Sequence, residues 1–165
     1  MNENPYEELK GLTRQRADLI WKAAQMDEPL SDEDARLVQA MRDHPEYADL
    51  WGHLGELSDE QIQRDGTNPI LHITIHQTLE NQIATGKPKE TTQTVEALMQ
   101  QGLSRHEAIH RVGTVLAEEI FHILKHERPF DEAGFVRKLG RLVKPAMPHP
   151  PKTSRPRRRL KGRYR

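Results

Sequence analysis

Cysteine is absent from all 165 residues, which removes disulfides and thiolate ligands together. Hydrophobic residues make up only 35% of the chain. Any core is therefore small, and the elements that build it must be strongly amphipathic. No apolar run approaches the roughly 20 residues needed to span a bilayer, so no membrane partner is expected. The start, "MNENPYEELKG", lacks a basic stretch followed by an apolar one and so shows no secretory signal; the cytoplasm is the expected location. Sustained alternation with β-branched residues is missing too, which argues against a sheet. No internal repeat of solenoid length is present.

What is there is unevenly distributed. The formal net charge is zero, with 25 basic and 25 acidic residues. Residues 144–165 hold nine Lys or Arg and no acid, leaving 16 basic against 25 acidic before them. The chain divides into an acidic body, 1–143, and a basic tail, 144–165. The tail, "KPAMPHPPKTSRPRRRLKGRYR", has five prolines and little to bury, so a disordered tail is expected. Its cationic residues Arg155, Arg157, Arg158, Arg159, Lys161, Arg163 and Arg165 suit RNA or another polyanion through phosphate contacts. A merely solubilising terminus is the plainer alternative.

In the body, prolines 5, 29, 45, 69, 88 and 129 fall at the edges of periodic segments, where proline is tolerated. Between them the periodicity predicts helices at about 5–25, 32–43, 46–56, 69–85, 89–101, 105–126 and 131–143. Ser31, Asn68 and Ser104 stand where N-caps belong, Ser104 with Glu107 forming a capping box. Gly86 and Gly102 stand where helices stop. Tyr47, Leu50, Trp51, Leu54 and Leu57 form a stripe that reads as core. The expected fold is all-α, a compact bundle of about six to seven helices.

Two of these helices carry histidines in matching pairs. "NPILHITIHQTLENQIATG" holds His72, His76 and Glu80 at steps of four, and "SRHEAIHRVGTVLAEEIFHILKH" holds His106 and His110. At about 100° per residue, each pair falls inside its helix's apolar arc rather than on its solvated back. Phe121 and Leu124 share that arc, Gly113 beside it would let a helix approach closely, and Glu119 points away. His122 and His126 also stand four apart but face outward. His44, His53 and His149 belong to no pattern.

Four imidazoles where leucine would pack better need partners, since an unpaired buried polar group costs about 1–3 kcal/mol. Imidazoles four apart on a helix can converge on one ion, and two facing helices offer four nitrogens. The expected metal ligands are His72, His76, Glu80, His106 and His110. A donor set without sulfur favours iron, manganese or zinc. Glu107 with His110 also has the Glu-x-x-His spacing of di-iron and di-manganese bundles. With a metal in place, Glu107 or Glu118 is the candidate catalytic base for a bound water.

Two other readings compete. The histidines can form a polar core bonded to Glu80, Glu118, Thr74 or Thr114, and such a core could also sense pH. His-Glu-Ala-Ile-His at 106–110 matches the helical zinc-peptidase pattern. Glu107 is already explained as a cap, however, and no strand is predicted to line a substrate cleft. Hydrolysis and redox chemistry both suit the donor set, and whether the chain is an enzyme stays open, as does its oligomeric state.

"DGTNPILHITIHQTLENQIATG" followed by "GLSRHEAIHRVGTVLAEEIF" resembles an uncharacterised bacterial family, domain of unknown function 1841. The likeness runs through an Asn-Pro-x-Leu-His-x-x-x-His segment and a His-Glu-x-x-His-Arg segment over about residues 40–140. It implies no catalytic roles, and the tail lies outside it.

Overall fold

Helix boundaries follow the local chemistry of the chain. The computed structural model describes residues 5–143, with side chains from residue 13 onward. Seven α-helices are present there: α1 (Pro5–Gln25), α2 (Asp32–Arg42), α3 (Asp59–Ile62), α4 (Pro69–Thr85), α5 (Lys89–Gln100), α6 (Arg105–His126) and α7 (Glu132–Leu142). The described residues contain no strand, only an isolated bridge between Arg64 and Thr67. The disordered tail expected at 144–165, with its seven cationic candidates, lies outside the described residues.

The caps are where the sequence places them. Asn68 accepts from the backbone N–H groups of Ile70 and Leu71 at 2.9 and 3.2 Å, with Pro69 in the first turn of α4. Ser104 and Glu107 form the capping box that starts α6. Gly86 closes α4 at φ 65°, a left-handed conformation that costs glycine little.

The helix expected at 46–56 is not α-helical. A short 3₁₀ turn, Pro45–Tyr47, leads into successive three-residue turns, with Leu50, His53 and Glu56 donating to the carbonyls of Tyr47, Leu50 and His53. Gly52 and Gly55 lower the helical propensity of this stretch, and its apolar residues recur at the three-residue spacing such turns require. The core role survives the change. Leu50, Trp51 and Leu54 are buried, Tyr47 and Leu57 pack against them, and the Trp51 indole donates to the Met41 carbonyl at 2.9 Å. The four-residue α3, capped by Ser58 and Gln61, has no counterpart among the predicted helices.

Two apolar cores result. The first joins α1, α2, the 45–62 segment and the start of α4 through Met41, Leu54, Ile62 and Ile73. The second joins the end of α4 to α5, α6 and α7 through Leu79, Leu98, Val112, Phe135 and Leu139. Helix α4 belongs to both, its early isoleucines facing one core and its later apolar residues the other. Polar side chains between the two cores sit at a seam.

Helix α6 departs from its predicted phase in two places. Phe121 and Leu124 are 58% and 56% exposed, because a 22-residue helix about 33 Å long outruns the roughly 26 Å of α4. Glu119, expected to point away, is only 1% exposed. It pairs with Arg128 at 2.7 Å and accepts from the Asp131 backbone at 3.1 Å. A helix packed between α4 on one side and α7 on another has two buried faces, and a single apolar arc describes only one.

Candidate metal centre

The seam holds a histidine cluster. His72 and His76 come from α4, one turn apart and packed toward both α2 and α6. His110 comes from α6, which approaches closely because Gly113 lacks a side chain: a Cβ there would lie 3.2 Å from Ile75 Cγ2 and 3.7 Å from Leu79 Cδ1. The fourth is His44, fully buried just beyond the end of α2. One ligand atom from each of His44, His72, His76 and His110 falls within 4.8 Å of the others. These four could hold a metal ion.

His44 belongs to none of the patterned histidines, yet it is central. Its ring centroid lies 4.6 Å from His72, 4.5 Å from His76 and 5.7 Å from His110. The signal that could have found it is its phase. Leu37 and Met41 are buried on α2, and position 44 continues that stripe at i+7, one residue past the helix cap.

Hydrogen bonding assigns the tautomer of His44. Its Nδ1 lies 2.6 Å from the Ala40 carbonyl oxygen. A carbonyl only accepts, so Nδ1 carries the proton and donates. The Nε2 lone pair of His44 then points into the cluster, 2.8 Å from Nε2 of His72. A ring nitrogen tied to a backbone carbonyl while the other faces inward is the usual outer support of a metal-binding histidine. Nε2 of His110 is buried and without a hydrogen-bond partner.

Burial holds the rings of His72, His76 and His110 neutral. It is the largest cause in each case, followed by repulsion from neighbouring imidazoles. His76 is pushed down to about 3 and His72 to about 4 from the usual 6.5. His110 is lowered for the same reasons. Neutral imidazoles keep the lone pairs a metal needs.

The other sequence candidates stand around the cluster. His106 is exposed on its rim, with its ring centroid 4.3 Å from His110, 5.1 Å from His44 and 5.5 Å from His76. Glu80 is held by Arg105 through both carboxylate oxygens. Glu107 serves the α6 cap, where the Ser104 hydroxyl and backbone hold its carboxyl below the usual range. Glu118 faces Lys138 at 3.3 Å. Thr74 and Thr114 donate to the backbone carbonyls one turn earlier, Ile70 and His110. Each partner foreseen for a metal-free polar core is thus engaged elsewhere, and the histidines chiefly meet one another.

Two grooves flank the cluster. One, about 290 Å³, is lined by His72, His76 and His110 with Arg111, Thr114 and Ala117. The other, about 370 Å³, is lined by Asp43, His76, Glu80, Arg105 and His106.

Fold and cluster together define an all-helical domain over the described residues, with a half-buried polyhistidine cluster between two cores. The family described as Domain of unknown function (DUF1841) matches residues 12–141, and the chain belongs to that family. The match begins well before residue 40 and so takes in the larger part of α1, all of α2 and His44. No curated protein and no solved structure matches the chain. No helix among the described residues is long and apolar enough to cross a membrane.

Proposed function

We propose that this protein binds one divalent metal ion through His44, His72, His76 and His110. The observation that carries the reading is the convergence of four imidazoles from three separate segments, with the inward lone pair of His44 set by the Ala40 carbonyl. Dimensions agree with it. Nitrogens on a tetrahedron around zinc, at metal–nitrogen distances of about 2.0–2.1 Å, lie about 3.3 Å apart. The nitrogens here straddle that spacing, from 2.8 Å for one pair to within 4.8 Å for all four. An all-nitrogen set favours zinc or iron over manganese, which prefers oxygen.

The identity of the ion governs what the centre does. Four imidazoles complete the shell of a tetrahedral zinc, and the ion then ties the two cores together. Iron(II), which accepts more ligands, keeps positions for water or substrate. In that case the groove beside Arg111 receives the reacting molecule.

The test is the metal content of the full chain, purified without a histidine tag and measured by mass spectrometry. One zinc or iron per chain is expected, lost in His76→Ala/His110→Ala. Substoichiometric metal that the double variant leaves unchanged overturns the reading. The tail carries a separate proposal, binding to RNA or another polyanion, which rests on its nine uncompensated charges. Retention on RNA that survives deletion of 144–165 or ignores salt overturns it.

A further inference from the structure

We infer that His106 is the uptake ligand of the centre: it captures the incoming ion in the groove beside Asp43 and Glu80 and passes it to His110 and His76. The inference rests on the metal reading above and adds a route and a direction to it.

Position singles out this residue. His44 and His76 are buried, whereas His106 is exposed at the rim. Its contact with His110 is the shortest centroid distance in the whole cluster, 4.3 Å, and both residues sit on one face of α6. An ion held by His106 in the groove can therefore bond His110 before it leaves His106. The next ring within reach is that of His76, which lines the same groove, 4.7 Å from His110 and 5.5 Å from His106. Each metal–nitrogen bond that forms displaces one metal-bound water into the groove, and the bond to His106 breaks last. Each bond is a lone-pair donation from nitrogen, so no electron is transferred and the ion keeps its oxidation state.

Charge distinguishes the two grooves. The groove beside His72 carries Arg111 and no carboxylate, which disfavours a cation. The groove beside His106 carries Asp43 and Glu80 with one cation, Arg105. Arg105 is bonded by Glu80 and also feels the charge of Asp43, which accepts from the Gln39 amide at 2.8 Å, so two carboxylates face one cation. Local potential draws a hydrated cation to the side where the fifth histidine stands.

A ligand used only in transit lowers the barrier in both directions. The test is stopped-flow uptake and release of Zn2+ by the full chain, with a chromophoric chelator as competitor. His106→Ala and, as a second variant, His106→Gln are expected to lower the association and dissociation rate constants by the same factor, about tenfold. Release that accelerates, with affinity falling in proportion, makes His106 a resident ligand and overturns the inference. Rates unchanged in both variants make it a bystander and overturn it too. Failure of the wild-type chain to bind zinc is a different result, and it removes the metal reading itself.

Discussion

Helix α6 carries two histidine pairs with the same spacing and opposite fates. His106 and His110 at its start meet α4 and the end of α2, within ring contact of His44, His72 and His76. His122 and His126 near its end stack on each other at 5.8 Å, with Phe121 as their neighbour. The i, i+4 spacing is common to both, so spacing alone does not make a site. A second and third element must bring lone pairs to the same point, and only the first half of α6 has such neighbours. The far end is instead organised by Glu119, whose buried carboxylate joins Arg128, Lys138 and the Asp131 backbone.

This contrast can be broken or sharpened in order of effect. The largest change is expected from His44→Ala, which removes a proposed ligand outside both pairs. Zinc affinity should fall at least about 100-fold by competition titration, while His122→Ala/His126→Ala leaves it unchanged. Next comes pH. The folded values of about 4 for His72 and 3 for His76 lie below the ordinary 6.5, so the unfolded chain binds more protons between those limits. Stability of the zinc-free protein is then full above pH 6.5 and declines as pH falls through that window. Discounted for partial exposure, the loss by pH 4 should be about 2–3 kcal/mol in urea titrations. In His72→Leu/His76→Leu that slope should flatten.

Glu119→Gln is expected to cost about 2 kcal/mol, since it leaves Arg128 without its buried partner. Urea denaturation reads the loss, and zinc affinity should stay as in the wild type because the change lies at the other end of α6. The smallest effect is expected from Gly113→Ala, about 1 kcal/mol. Its new methyl group would press on Ile75 Cγ2 at 3.2 Å and nudge α6 away from α4. A small drop in melting temperature with a modest loss of zinc affinity would show that helix approach and the site are coupled.

Much of this fold is legible one segment at a time. Ser31, Asn68 and Ser104 announce helix starts through their own side chains, and each is seen accepting the backbone N–H that a cap accepts. The inward phase of His72, His76 and His110 follows from apolar periodicity alone. Periodicity predicts an α-helix over 46–56 where the chain forms three-residue turns, because residues spaced by three and four fit a 3₁₀ turn nearly as well. The near-complete burial of Glu119 has another cause: the α6–α7 connection supplies Arg128 and α7 adds Lys138, on a face the periodicity leaves polar.

By itself the sequence determined six of the seven helices, the caps of α2, α4 and α6, and the inner faces of α4 and of the first half of α6, because these arise from contacts within a turn or two of chain. It also determined that no thiolate would be among any ligands, since the chain has no cysteine. Tertiary structure decided the composition of the cluster. It brought in His44 from beyond the end of α2, turned its Nε2 inward through Ala40, left His106 at the rim and gave Glu80 to Arg105. The physical reason is that helix phase is a local property. Convergence depends on where α2, α4 and α6 cross, and that is set by packing between residues far apart in the chain.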